Sequence, residues 1–270
     1  MKGLGDRSRE LNGGTMSLWA RVSYQGRECF GTIVDDTVAL HAGDMFANPR
    51  PTGESIPRNA AKLRTPTTPS KMVALVDNYH ALVAKLGHAV PAEPHYFLKA
   101  NNSFLAGGEP IRTPQSYTGK ILFEGELGIV IGKRCCAVHE ADAASYVFGY
   151  TCVNDVTAVD ILNKEPGFAQ WTRAKSFDTF GVFGPVIATD VDPATLVVRT
   201  ILNDQERQNY PVADAVFAPA KLVSLISRDL TLEAGDVIAC GTSIGVGSMK
   251  PGSTVTIVID GIGTLSNRFD

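Results

Sequence analysis

Apolar and polar residues alternate in short runs over most of the chain, and the runs are rich in β-branched residues, so strands dominate the reading. Residues 17–40 show it first: LWARVSY, a turn at Gln25-Gly26, then CFGTIVDDTVAL. That pattern predicts an antiparallel meander with tight turns. Residues 47–70 (NPRPTGESIP, RTPTTPSK) are rich in Pro, Thr and Ser and predict an irregular connection. The connection marks a boundary between a small N-terminal β domain, 16–70, and the main body, 71–270.

In the main body KMVALV (71–76) predicts a buried strand, and NYHALVAKLG (78–87) a short helix stopped by Gly87. FLKANNSFLAGGEPI reads as strand, then loop. Residues 121–132 (ILFEGELGIVIG) predict one continuous strand, and 139–148 (HEADAASYVF) a helix ending at Gly149. YTCVNDVTAVDI, 150–161, begins as a strand and is undecided after that. Further on, VFGPVIAT, LVVRTILN, DVIACGT and STVTIVID carry strand signals, with a last turn at Asp260-Gly261 before GTLSN. They are interrupted by a helix at 219–227, whose Leu222, Val223 and Ile226 share one face. Many strands, few helices and no regular βαβ alternation predict an α+β, mainly β architecture.

Composition changes the picture in a few respects. The chain has 270 residues, 44% of them hydrophobic, enough for a sizeable core. Its net charge is -3 and it has no run of Lys or Arg, which argues against nucleic-acid binding. No stretch approaches the roughly 18 apolar residues of a membrane span. Residues 1–15 (MKGLGDRSRELNGGT) lack the apolar stretch of a secretory signal, so a cytoplasmic protein is expected. Ordered patterning starts at Met16, and 1–15 are expected to be loose: a leader, a cloning remnant or a misassigned start. Five cysteines, an odd number without C-x-x-C spacing, predict buried free thiols and neither a disulfide framework nor a zinc ribbon.

Candidate chemistry starts at FEGELGIVIG, 123–132. On a strand, Glu124 and Glu126 point the same way, about 6.5–7 Å apart at the backbone. Such a pair is ordinary on a solvated sheet face, or opposite a Lys or Arg on the next strand. Here the flanks are apolar on both sides, as in a central strand, where two like charges repel unless a cation lies between them. Asp155, in GYTCVNDVTA, is a third carboxylate in a similar setting. Three carboxylates with no His or Cys nearby suit a hard ion, Mg²⁺ or Mn²⁺. The sequence does not fix whether Asp155 approaches the two glutamates.

FEGELGIVIGKR, GYTCVNDVTAVD, QWTRAKSFDTFGVFGP, LTLEAGDVIACGTSIGVG and IDGIGTLSN, in this order, resemble the fumarylacetoacetate hydrolase family. The resemblance covers 71–270 well and 16–70 loosely. It implies a mixed β-sandwich roll and a homodimer. It also implies Mg²⁺ or Mn²⁺ held by Glu124, Glu126 and Asp155, and a 2-oxo or 2,4-dioxo acid as small-molecule substrate. The reactions implied are hydrolytic C–C cleavage, decarboxylation or keto–enol isomerisation, all of which pass through an enolate that a Lewis acid stabilises. Lys175, in RAKSFDTF, matches the family lysine beside that enolate. Thr242, in CGTSIGVG, matches a position that holds a substrate carboxylate, and Gly241 and Ser103 join it as candidate substrate-binding residues.

Two departures bear on the reaction. Family hydrolases carry N-Y-x-x-H-x-x-E on a short lid helix, whose His and Glu activate water. Here Asn78 and Tyr79 match, but Leu82 and Lys85 replace the His and Glu. His80 lies two residues early, about 200° around a helix from the expected position. It is the candidate base only if the segment is not helical. In NDVTAVDIL, Val159 and Leu162 stand where the family has Arg and Gln. The metal half of the site matches the family and the water-activating half is altered. A metal-dependent acylpyruvate hydrolase is the first expectation, and a 2-oxo-acid decarboxylase or keto–enol tautomerase the alternative. A folded scaffold with a vestigial site is a third reading, because fold alone does not establish activity.

Overall fold

The computed structural model describes residues 16–162 and 164–270; the leader expected at 1–15 lies outside the described residues. The N-terminal meander forms as the alternation predicts. Strands β1 (Leu18–Tyr24), β2 (Arg27–Val34) and β3 (Thr37–Ala42) pair antiparallel, and the first turn has positive φ at both Gln25 and Gly26. That backbone twist matches the twist of paired strands.

The segment expected to be irregular departs from prediction. Arg50–Pro57 forms strand β4 along β3, and Lys62–Leu63 forms β5 on β1. Both β4 prolines stand at its ends, and β4 is an edge strand, where a missing N–H breaks no ladder. Ile56 is its one buried residue, so the pattern is too weak for periodicity to reveal.

The main body supplies β6 (Met72–Val76), helix α1 (His80–Leu86), β7 (His95–Lys99), β8 (Phe104–Leu105), β9 (Ile121–Phe123) and β10 (Gly125–Ile131). Then follow α2 (Glu140–Ala143), β11 (Val147–Asp155), β12 (Thr157–Ala158), α3 (Val159–Leu162), α4 (Trp171–Lys175) and β13 (Gly181–Ala188). The C-terminal part adds β14 (Val197–Leu202), β15 (Gln205–Pro211), α5 (Pro219–Asp229), β16 (Val237–Ala239), β17 (Gly247–Met249), β18 (Thr254–Ile259) and β19 (Gly263–Arg268). Helix α1 ends at Gly87 in the left-handed conformation, and α5 buries Leu222, Val223 and Ile226, both as expected.

Two elements differ from expectation. The helix at 139–148 stops early: a single 3-10 turn follows α2 and the strand starts at Val147. The Tyr146 carbonyl accepts from Gly132 N–H and Val147 pairs with Ile131, so sheet pairing overrides helical propensity there. The strand expected over 121–132 is broken at Glu124 into β9 and β10.

A 12-stranded mixed sheet runs β4-β3-β2-β1-β13-β11-β10-β16-β6-β7, with β5 and β8 attached to β1 and β13. A four-stranded sheet, β15-β14-β18-β19, and a three-stranded one, β12-β9-β17, accompany it. Strand β10 lies between β11 and β16 and is buried along its whole length. Its Leu127, Ile129 and Ile131 share a core cluster with Val198, Ile257 and Leu265 of the four-stranded sheet, while Val130 belongs to a second cluster. Each such buried aliphatic side chain contributes roughly 1.5–3 kcal/mol, and together they fix the register of the strand that carries Glu126. The architecture is mainly β, a mixed β-sandwich roll with a small N-terminal β domain. Among the described residues no helix is long and apolar enough to cross a membrane.

Candidate metal centre and active site

The break at Glu124 is where the chain leaves one sheet and enters another. Phe123 pairs with Gly247 of β17, whereas Gly125 pairs with Asn154 of β11. Between them the Glu124 carbonyl accepts from Asp155 N–H at 2.9 Å, and its N–H donates to Asn154 Oδ1 at 3.0 Å. Antiparallel pairing of β10 and β11 therefore sets Asp155 beside Glu124, while Glu126 follows two residues along. One oxygen from each of the three carboxylates lies within 4.8 Å of the others. The approach of Asp155, open in the sequence, is thus made by strand register.

Two lysines enter this acidic cluster. Lys175, the last residue of α4, donates to Glu124 Oε1 at 2.8 Å and to Asp155 Oδ2 at 2.6 Å. Helix α4 is held against β7 by Trp171 stacked on Phe97 with centroids 5.3 Å apart, and Lys175 Nζ lies 5.2 Å from the Phe97 centroid. Lys99, at the end of β7, is fully buried and donates to Asp155 Oδ1 and to the Lys175 and Val156 carbonyls. All three of its N–H groups are used, so it joins Asp155 to the backbone of Lys175.

Glu126 has no lysine. Gly241 N–H donates to its Oε2 at 2.8 Å, and its Oε1 is buried without a partner. Burial, then the charges of Asp155 and Glu124, push its carboxyl well above the usual carboxylate range. Burial acts on Asp155 in the same direction, but Lys175 and Lys99 outweigh it and hold Asp155 below its ordinary value. Burial disfavours the charge on Lys175, yet Asp155 and Glu124 overcome that and raise its pKa, so it stays an ammonium. For Lys99 burial dominates and lowers the pKa despite Asp155.

These residues fit a divalent cation. Three carboxyl groups face two ammonium groups, and the one left without a lysine is Glu126, which also has the orphaned oxygen. An all-oxygen donor set without His or Cys suits Mg²⁺ or Mn²⁺ rather than softer metals.

Of the other residues expected at the site, Gly241 and Thr242 are brought to it. Gly241, at φ +86, directs its N–H at Glu126; a Cβ there would stand 3.3 Å from Asn78 Cβ. The Thr242 hydroxyl donates to Gly125 O at 2.9 Å, the carbonyl between the two glutamates. Ser103 is buried but donates to Ala100 O at 2.6 Å, with no hydrogen bond to the cluster. His80 opens α1 and is exposed; among the described residues it makes no hydrogen bond to the carboxylates or lysines. Leu82 is half-buried and Lys85 exposed on the same helix. The segment's other imidazole, His88, lies 3.0 Å from Asp77 Oδ2.

Sequence reasoning missed Lys99, Gln208 and Tyr210. Lys99 shares the buried parity of Phe97 in HYFLK, and a lysine at a core position of an alternating strand is the signal that was available. Gln208 and Tyr210 are the two buried positions of the otherwise exposed QERQNYP strand before Val212. The thiols divide: Cys135, Cys152 and Cys240 are buried and free as expected, while Cys29 is half-buried and Cys136 exposed.

Residues 71–270 match the family model described as "Fumarylacetoacetate (FAA) hydrolase C-terminal", and residues 18–66 match one described as "Rv2993c-like, N-terminal". The chain is 38% identical to 2-hydroxyhepta-2,4-diene-1,7-dioate isomerase from Mycobacterium marinum, with a TM-score of 0.85 over 94% of this chain and 98% of that one. It is 35% identical over 222 residues to oxaloacetate tautomerase YisK of Bacillus subtilis, 77% of this chain and 73% of the relative. A maleylpyruvate hydrolase from Sphingobium, solved with manganese(II) and pyruvate, is 26% identical with a TM-score of 0.75, covering 93% of this chain and 98% of that one. On the family model alone, which spans most of its length, this chain belongs to the fumarylacetoacetate hydrolase family.

Proposed function

We propose that the protein is a divalent-cation-dependent keto–enol isomerase of 2-oxo acids, acting on an oxaloacetate-type substrate. The observation that carries this reading is an asymmetry of the site. The carboxylates of Glu124, Glu126 and Asp155 lie together with Lys175, whereas α1 carries Leu82 and Lys85 at the positions where the family pattern has His and Glu and leaves His80 exposed. Isomerisation moves a proton and needs no activated water; hydrolytic cleavage needs one. Two relatives are named for isomerisations, one an oxaloacetate tautomerase and the other a hydroxyheptadienedioate isomerase.

Glu124, Glu126 and Asp155 would hold Mg²⁺ or Mn²⁺. The cation, when bound, supplies Lewis-acid polarisation of a chelating 2-oxo carboxylate. Lys175 stays protonated between Asp155 and Glu124, so it offers fixed positive charge to developing enolate oxygen and does not act as a base. Lys99 locks the Asp155 oxygen that Lys175 does not bind, and this keeps the lysine and carboxylate pair preorganised. Gly241 N–H orients Glu126, and Thr242 is placed to anchor the substrate carboxylate.

The test follows the ultraviolet decay of enol-oxaloacetate, with acylpyruvate and CO₂ release measured in parallel. Decay accelerated by Mg²⁺ or Mn²⁺, abolished by chelator and lost in Glu126→Ala supports the reading. Chain cleavage or CO₂ release outrunning tautomerisation would overturn it. The hydrolase reading is kept by one observation: His88 and Asp77, at the two ends of α1, form an imidazole–carboxylate pair. If cleavage dominates and His88→Ala removes it, hydrolysis is the function.

A further inference from the structure

Gly125 lies between the two glutamates, and both of its peptide groups are held by side chains. Its N–H donates to Gln208 Oε1 at 3.0 Å. Its carbonyl accepts from the Tyr210 hydroxyl at 2.6 Å and from the Thr242 hydroxyl at 2.9 Å. Gln208 Nε2 donates to Thr242 Oγ1 at 2.8 Å and to Ser243 O at 3.1 Å. All of these side chains are buried. The proton positions follow from the partners. Gly125 N–H fixes the Gln208 oxygen, so the Gln208 amide nitrogen faces Thr242. A carbonyl only accepts, so both Thr242 and Tyr210 face Gly125 O as donors; the Tyr210 hydroxyl also lies beside the Thr242 hydroxyl and 3.5 Å from Gly241 O, and Gly125 O at 2.6 Å is the shortest of its contacts.

A carboxylate ligand also only accepts. Thr242 can bind one through its hydroxyl only by withdrawing its proton from Gly125 O. A buried carbonyl left without a donor opposes that movement. Tyr210 already supplies a second donor to the same oxygen.

We propose that Tyr210 is a positioning residue that allows Thr242 to exchange partners. In the ligand-free state both hydroxyls donate to Gly125 O. When a 2-oxo acid binds, the Thr242 hydroxyl turns to its carboxylate, Gln208 retains the Thr242 oxygen, and Tyr210 keeps Gly125 O satisfied. The strand between Glu124 and Glu126 therefore stays in place while the carboxylate anchor is armed. The inference rests on the reading of Thr242 as that anchor.

The test measures oxalate binding to the Mn²⁺-loaded protein by calorimetry, together with Mn²⁺ affinity, for wild type, Tyr210→Phe, Thr242→Val and the double variant. Tyr210→Phe is expected to weaken oxalate about tenfold, or about 1.4 kcal/mol, and to leave Mn²⁺ affinity unchanged. In the Thr242→Val background the same change is expected to have no further effect, since no hydroxyl remains to be released. An equal loss in both backgrounds, a parallel loss of Mn²⁺ affinity, or no loss in Tyr210→Phe overturns the proposal. If wild type fails to bind oxalate, or Thr242→Val binds it undiminished, the anchoring reading fails first and the exchange with it. Should Tyr210→Phe not fold, a crystal structure of the wild-type Mn²⁺–oxalate complex decides. Thr242 Oγ1 turned away from Gly125 O, with Tyr210 still on it, supports the exchange; Thr242 unmoved overturns it.

Discussion

Replacing Glu126 with Gln is expected to stabilise the cation-free protein while abolishing its response to Mg²⁺ or Mn²⁺. Glu126 is fully buried, with one oxygen on Gly241 N–H and the other unpartnered. Burial and the two neighbouring carboxylates raise its pKa in the folded state. A carboxyl of this kind favours the fold fully only below its unfolded value, about 4.3, and that contribution is lost as pH rises through the folded value. In Glu126→Gln one amide atom still accepts from Gly241, and the other meets Asp155 and Glu124 as a donor instead of a like charge. Relief of one unpartnered buried polar atom is worth about 1–3 kcal/mol, or roughly 3–9 °C in Tm for a chain of this size. Thermal melts in chelator, run from acid to alkaline pH, measure it. The gain should be absent below about pH 4.3, where the carboxyl is protonated in folded and unfolded chains alike, and should grow as pH rises from there toward the folded value. Adding cation at a hundred times its dissociation constant should raise wild type by about 2.7 kcal/mol and leave the variant unmoved. A variant that melts below wild type at neutral pH, a gain independent of pH, or a retained cation shift would refute the argument that this carboxylate is destabilising until a cation meets it.

Lys175→Met leaves Glu124 and part of Asp155 without a counter-charge; melting in chelator should show a loss of about 3–5 kcal/mol. Turnover with saturating cation should fall about 10²–10³-fold, as when one fixed donor to a developing oxyanion is removed. Gly125→Ala would place a Cβ 2.0 Å from Thr200 Oγ1 and 2.9 Å from Ile257 Cδ1. Calorimetry should find it destabilised by about 1–3 kcal/mol, with weaker Mn²⁺ binding because both flanking glutamates shift. Leu82→His with Lys85→Glu installs a His and Glu on α1 and should raise acylpyruvate cleavage by up to about 10²-fold, the lower end for general acid–base catalysis. No gain would mean that this face of α1 does not meet the substrate.

The strands with clear alternation and the helices with clean stop signals were legible from the residues: the N-terminal meander, α1 closed by Gly87, and α5 with its apolar stripe. Arg50–Pro57 was not, because an edge strand with one inward residue carries almost no periodicity. Nor was the break at Glu124. Its flanks are apolar on both sides, and the break comes from partners distant in sequence, Gly247 on one side and Asn154 on the other. The charge pattern pointed to Glu124 and Glu126, and the family resemblance added Lys175 and Thr242. Asp155 reaches them through inter-strand register, which no local pattern encodes. Lys99 looks like an ordinary strand-end cation until the fold buries it against Asp155. The Thr242 hydroxyl is engaged with Gly125 O, a detail set by Gln208 and Tyr210 on another sheet that no local pattern carries.

Strand β1 adds to β13 through Leu18↔Ala188 and Trp19↔Ile187, so the N-terminal strands continue the 12-stranded sheet by main-chain hydrogen bonds. Among the described residues, the other strand on that flank of β13 is β8, paired at Gly181 and Val182. Cutting the chain back to residue 71 would leave Ile187 and Ala188, at the buried end of β13, without strand partners on that side. Such a fragment is expected to self-associate through that edge, because unpaired strand edges recruit further strands. Size-exclusion chromatography of residues 71–270 tests this, and a fragment that associates no more than the full chain would refute a protective role for the N-terminal strands.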